Sequence, residues 1–148
     1  MAQAQETGGT GTGHRSVSMS RTGHGTYAVT NARGGTIHIG SGGSEEFTPV
    51  ELLLTAIGGC SAVDVDFITS RLAEPTEFVV TTEGEKLRDD RGNFMGEIEV
   101  TFRVRFPDDP GGDRARERLP RAIAQSHDRL CTVSRSVQLG TPVRMTEE

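Results

Sequence analysis

Thr48-Pro49-Val50-Glu51, running on as LLLTAIGGCSAVDV over 52–65, is the stretch on which the fold turns. Thr48 can cap the first turn of a helix with its hydroxyl. Pro49 at the first helical position forfeits no hydrogen bond, because that N–H lacks a helical partner anyway. Glu51, three residues after the cap, completes a capping box by reaching back to the Thr48 amide. The spacing therefore predicts a helix from Val50 to about Leu72. Leu52, Leu53, Leu54, Ala56, Ile57, Ala62, Val63, Val65, Phe67 and Ile68 put apolar side chains on nearly every face, the pattern of a central, buried helix. Gly58-Gly59 in its middle costs about 1 kcal/mol per glycine in helix propensity. Such a pair lets a neighbouring element approach closely, beside Cys60.

Downstream, EFVVTTE (77–83) reads as a strand, and EIEVTFRVRF (97–106) alternates strictly between apolar and polar residues. That period of two marks a half-buried antiparallel strand. RDDRGN (88–93) is the expected hairpin tip, and PDDPGG (107–112) ends the second strand. A second helix is expected with Asp113 as cap, Ala115, Leu119, Ala122 and Ile123 along one stripe, and a kink or restart at Pro120. Ser126 is expected to cap a further turn that ends at Cys131, with VSRSVQL (133–139) and TPVRM (141–145) as a last strand or two. Upstream, GTYAVT (25–30), NARGG (31–35) and TIHI (36–39) form a hairpin, and SGGSEEF (41–47) a loop. The order of elements is α+β in a single domain over 14–148, preceded by a flexible tail over 1–13 that has nothing to pack.

Composition narrows the function classes. An apolar fraction of 33% and a mean hydropathy of -0.42 leave a lean core for 148 residues. A net charge of -5 offers no basic field for nucleic acid or an anionic membrane. No run approaches the roughly 18 apolar residues of a membrane span, and the N-terminus lacks the pattern of a secretory signal, so a cytoplasmic location is expected. Two cysteines outside a secreted scaffold are either small buried hydrophobes or chemistry. The glycines of 41–47 lack a Walker lysine, and no dinucleotide fingerprint is present. Four histidines and two cysteines show no C-x-x-C or H-x-x-x-H pair. Only His127-x-x-x-Cys131 has ligand-like spacing, so neither metal nor other cofactor is expected.

PVELLLTAIGGCSAVDV (49–65) and SHDRLCTVSRSV (126–137), with their thiols 71 positions apart, resemble the OsmC/Ohr-like family. There a Pro-x-Glu-Leu-Leu helix start precedes a mid-helix Cys, and a second Cys opens a C-x-V-S motif. The resemblance runs from about residue 14 to the end. It implies an OsmC-like α+β fold, antiparallel sheets around a long buried central helix, assembled as an intertwined homodimer with its sites at the subunit interface. It also implies a thiol peroxidase acting on a small or organic hydroperoxide in the oxidative stress response. Cys60 would attack the O–O bond and become a sulfenic acid. Cys131 would resolve it to a disulfide, which an external dithiol reduces.

The chain also departs from the pattern. Organic-hydroperoxide members activate the thiol with an Arg from the N-terminal strand region and a Glu directly after the helix-starting Pro. Here that position is Val50, and Glu51 comes one step later. The nine residues from Glu51 to Cys60 turn about 900°, which puts the two on opposite faces of a regular helix, so capping explains Glu51 without catalysis. The cation could be Arg21 or His24. Asp64, one turn after Cys60, opposes a thiolate unless an Arg pairs with it. C-T-V-S, where peroxidase-type members more often show C-P, points to the OsmC-like branch. The alternative is an OsmC-like stress or small-ligand-binding protein without efficient peroxidase activity.

Overall fold

A computed structural model describes residues 11–148. Most of the tail expected over 1–13 therefore lies outside the described residues. The chain divides into two compact units, the first ending at Leu52 and the second beginning at Leu53.

The first unit holds a three-stranded antiparallel sheet in the order β1 (Val17–Gly23), β2 (Thr26–Asn31), β3 (Thr36–Ile39). The turn between β2 and β3 closes on Asn31, whose side-chain oxygen accepts from the amides of Arg33 and Gly35, both at 3.0 Å. Gly34 takes φ +91° there, a conformation that strains any residue with a Cβ. Among the described residues of this unit, Val29 and Ile39 are the buried apolar side chains. The unit ends in the first turn of α1 (Pro49–Thr69), where the expected capping box is complete. The Thr48 N–H donates to Glu51 Oε1 at 2.9 Å, and the Glu51 N–H donates to Thr48 Oγ1 at 3.3 Å.

The second unit contains the rest of α1, a two-stranded sheet of β4 (Glu77–Asp89) and β5 (Gly92–Arg105), and two further helices. In the hairpin, Phe78, Val80 and Thr82 pair with Val104, Phe102 and Val100, which gathers the apolar alternation of both strands on one face. Phe78 and Phe102 meet edge-on, with ring centroids 6.3 Å apart. The tip is tighter than the sequence suggests: Asp89 Oδ1 accepts from the amides of Arg91 and Gly92, so pairing continues to the last two residues. Gly58 is buried against β4, where Thr82 Oγ1 comes so close that a Cβ would collide with it. Gly59 faces open space.

Burial along α1 follows one stripe, Ile57, Ser61, Val65 and Thr69, spaced four residues apart, with Gly58 beside it. The opposite side leaves Val63 and Phe67 exposed within one copy of the chain. The helix is 21 residues long with a mean hydropathy of 1.5 over an 18-residue window, within the range of a membrane-crossing segment. The core helix of a globular protein has the same length and composition, and no unbroken apolar run crosses it, because Thr55, Gly58, Gly59, Ser61 and Asp64 interrupt one.

Three expectations are corrected. The cap of α2 (Pro110–Gln125) is Asp109, not Asp113. Asp109 Oδ1 accepts from the Gly112 amide at 2.7 Å, and Pro110 fills the first helical position. Asp113 lies inside the first turn and pairs with Arg116 at 2.9 Å. The helix runs on through Pro120 without restarting, and ends in a π-helical turn at Ser126–Leu130, so Ser126 continues a helix instead of starting one. Finally, the segment expected to be a strand is α3 (Thr132–Leu139), and 141–148 forms no regular element. Val133, Val137 and Leu139 satisfy a strand's alternation, but the ends decide otherwise: Cys131 caps the start, and Gly140 at φ +66° closes the end.

Candidate redox site

The middle of α1 carries Cys60 and, one turn further, Asp64, both half-buried. The second thiol arrives from the end of α2. The α-helix widens there into the turn Ser126–Leu130, and the Cys131 N–H reaches back five residues to the Ser126 carbonyl at 2.9 Å. Ser126 is 1% exposed, and its hydroxyl donates to Asp64 Oδ2 at 2.8 Å. One serine thus fixes the turn to α1 and, through its carbonyl, fixes the backbone of Cys131.

Cys131 is fully buried and stands at the cap of α3 in an extended conformation (φ -74°, ψ 101°). Its sulfur accepts the Ser134 N–H at 3.3 Å, in the place of the usual capping oxygen. The Cys131 thiol and the Val133 amide both lie near enough to act on Cys60, the amide favouring its thiolate and the thiol opposing it. The first turn of α3 therefore presents amides to both sulfurs. Both cysteines are free thiols.

The electrostatics of Cys60 do not favour its anion. Burial pushes the thiol up most, the Val133 amide pulls it down, and the Cys131 thiol and the Asp64 carboxylate push it up further. None of these influences is a cation. Asp64 makes no ion pair among the described residues, so the expected Arg partner is replaced by the neutral Ser126 hydroxyl. A hydroxyl satisfies the carboxylate without neutralising it, and the charge stays to act on Cys60.

Glu51 is occupied by capping, with the Thr48 amide and hydroxyl holding its carboxyl below the ordinary carboxylate value. Arg21 and His24 are exposed, Arg21 on β1 at the start of a bulge and His24 in the turn before β2. Both belong to the first unit, whereas Cys60, Asp64, Ser126 and Cys131 belong to the second. His127 Nδ1 sits 2.9 Å from Asp128 Oδ1 on the surface. No group of three or more His, Cys, Asp or Glu among the described residues could hold a metal ion.

Residues of α1, β5, α2 and α3 line a partly open cavity of about 920 Å³, whose walls include Ser61 and Ser134 but neither cysteine. Ile57, Val100, Phe102 and Ile123 supply apolar walls, with Ser61 and Ser134 at their edge. Ser126 is the site residue that the sequence hides. Its one signal is the unmet need of Asp64 for a partner, which points to a cation before it points to a serine.

Comparison with known proteins accords with this arrangement. A family model described as OsmC-like protein matches residues 41–146, a span that includes both thiols. An uncharacterised protein of Mycobacterium tuberculosis is 31% identical over 131 residues, 86% of this chain and 91% of its own. The crystal structure of a hypothetical protein from Aquifex aeolicus covers 90% of this chain and 93% of its own, with 23% identity and a TM-score of 0.69. The organic hydroperoxide resistance protein OhrB of Bacillus subtilis covers 84% and 90%, with 17% identity and a TM-score of 0.53. The two structures share the fold, while the family model and the mycobacterial relative share the sequence as well. On the strength of those two, the chain belongs to the OsmC-like protein family.

Proposed function

We propose that this chain is a thiol peroxidase that reduces a small or organic hydroperoxide at Cys60, with Cys131 as the resolving thiol. The observation that carries this is the nearness of two free thiols 71 positions apart in sequence, close enough for Cys131 to act on Cys60. The Cys60 sulfur attacks the peroxide oxygen: an S–O bond forms, the O–O bond breaks, and the alcohol leaves with a proton. Cys131 then attacks the sulfenic acid, forming S–S and releasing water, before over-oxidation can occur. An external dithiol returns both thiols. The Val133 amide supports the attacking thiolate at Cys60. The likeness in fold to a hydroperoxide resistance protein agrees with this chemistry.

The exposed Val63 and Phe67 on α1 support a homodimer, since an apolar helix face of this kind is normally covered. The span of the family model across both units supports one OsmC-like domain over 14–148. The Asp64–Ser126 hydrogen bond ties α1 into a globular core, and a net charge of -5 offers no basic field for nucleic acid.

Stopped-flow measurement of thiol loss with cumene hydroperoxide tests the activity. The wild type should outpace free cysteine at the same pH and lose two thiols per turnover. Cys131→Ser should stop at the sulfenic acid, and Cys60→Ser should abolish the reaction. A wild-type rate no better than free cysteine refutes the proposal. That result would favour the second reading, an OsmC-like stress or small-ligand-binding protein. Its own support is the upward displacement of Cys60 with no cation behind it, together with the 920 Å³ apolar cavity.

A further inference from the structure

We propose, resting on the thiol-redox reading above, that a reductant opens the Cys60–Cys131 disulfide by attacking the Cys60 sulfur, and that Cys131 leaves as a thiolate into the cap of α3. Which sulfur of a disulfide is attacked depends on access and on which thiolate is the better leaving group. Both conditions select the same direction here.

Access is unequal. Cys131 is fully buried, whereas Cys60 is partly open to solvent. The fate of the departing charge is unequal as well. A thiolate on Cys131 has the Ser134 N–H at 3.3 Å, at the positive end of a helix of eight residues. The Cys131 backbone is held on the Ser126 carbonyl, so the sulfur returns to a place already prepared for it. A thiolate on Cys60 instead meets the Asp64 carboxylate one turn away, locked in position by Ser126. The Val133 amide acts in the opposite sense on Cys60, but burial, Cys131 and Asp64 together outweigh it.

The step balances as two displacements at sulfur. The reductant's thiolate forms a mixed disulfide with Cys60 and releases the Cys131 thiolate, which takes a proton. The reductant's second thiolate then closes its own disulfide and releases Cys60, which also takes a proton. Two electrons pass from the dithiol to the cysteine pair. Ser134 acts only through its backbone amide, as a positioning group for the leaving sulfur.

Diamide makes the disulfide in the full-length protein without any hydroperoxide, so the direction of opening can be read even in a chain that lacks peroxidase activity. Excess sulfite then cleaves the disulfide, leaving an S-sulfonate on the attacked sulfur and a thiolate on the other. Alkylation and peptide mass spectrometry locate both. The S-sulfonate is expected on Cys60, by about tenfold or more over Cys131. Ser134→Pro removes the amide within the first turn of α3, where the N–H has no helical carbonyl to bond, and should slow cleavage about fivefold. Ser134→Ala keeps the amide, so its cleavage should stay faster than that of Ser134→Pro. A label on Cys131 or an even split overturns the proposal. Failure of the diamide disulfide to form, or its resistance to sulfite, overturns it too.

Discussion

Ser126→Ala removes a single hydroxyl, yet that hydroxyl joins two segments 62 residues apart. Its oxygen donates to Asp64 Oδ2 at 2.8 Å from a side chain that is 1% exposed. A hydrogen bond to a charged acceptor contributes about 1.5–3 kcal/mol. Asp64 is half-buried, so water recovers part of its solvation when the donor is lost, and the lower end of that range applies. The void left by one oxygen is smaller than a methyl group and adds little. The expected loss is therefore about 1.5 kcal/mol, a fall of roughly 3–6 °C in melting temperature for a chain of this size. Urea denaturation of the wild type, Ser126→Ala, Asp64→Ala and the double variant, at one protein concentration, separates the pair from other effects. Asp64→Ala should make the serine substitution nearly silent, with a coupling of about 1 kcal/mol or more. A coupling below about 0.5 kcal/mol would show that the turn bearing Cys131 is anchored by something other than this bond.

Gly58→Ala should lower stability although alanine gains about 1 kcal/mol in helix propensity, because its Cβ collides with Thr82. In a Thr82→Ala background the same change should become neutral or stabilising, and chemical denaturation reads the reversal of sign. Asp109→Ala should cost about 1 kcal/mol through loss of the α2 cap, whereas Asp113→Ala should cost less than about 0.5 kcal/mol, as removal of an exposed ion pair does. The rate of iodoacetamide alkylation at Cys60 should rise with pH along a curve displaced above that of the urea-unfolded chain, and Asp64→Asn should shift that curve down. The linkage has a definite sign: with its folded value raised, Cys60 contributes stability below its unfolded pKa and loses it as pH rises through the folded one. Glu51 behaves oppositely. Its lowered carboxyl contributes above the unfolded pKa and loses that contribution as pH falls, so Glu51→Gln should flatten the acid limb of a melting-temperature profile.

Much of the fold is legible in the sequence because the decisive signals are local. Thr48, Pro49 and Glu51 specify a helix start by their spacing alone, Asn31 and Gly34 specify a turn, and the alternation over 97–106 specifies a face. The C-terminal segment is not legible in this way. Its apolar residues fit either period, and the choice rests on a cysteine serving as helix cap, a role for which Ser, Thr, Asp and Asn are the usual signs. The start of α2 offers three aspartates, and only Pro110 at the first helical position tells Asp109 from its neighbours. At the site, the two thiols stand out because cysteine is scarce in this chain. The partner of Asp64 does not, since electrostatic reasoning looks for a charge where a buried hydroxyl suffices.

The widened turn closes on a bond spanning five residues, from the Cys131 N–H to the Ser126 carbonyl, before Cys131 turns extended and caps α3. One residue more or fewer in that turn would carry the residue that follows about 100° round the helix axis. The aim of the Cys131 sulfur is therefore set by counting as much as by chemistry. The exposed residues His127, Asp128 and Arg129 can vary in kind without disturbing it, but not in number.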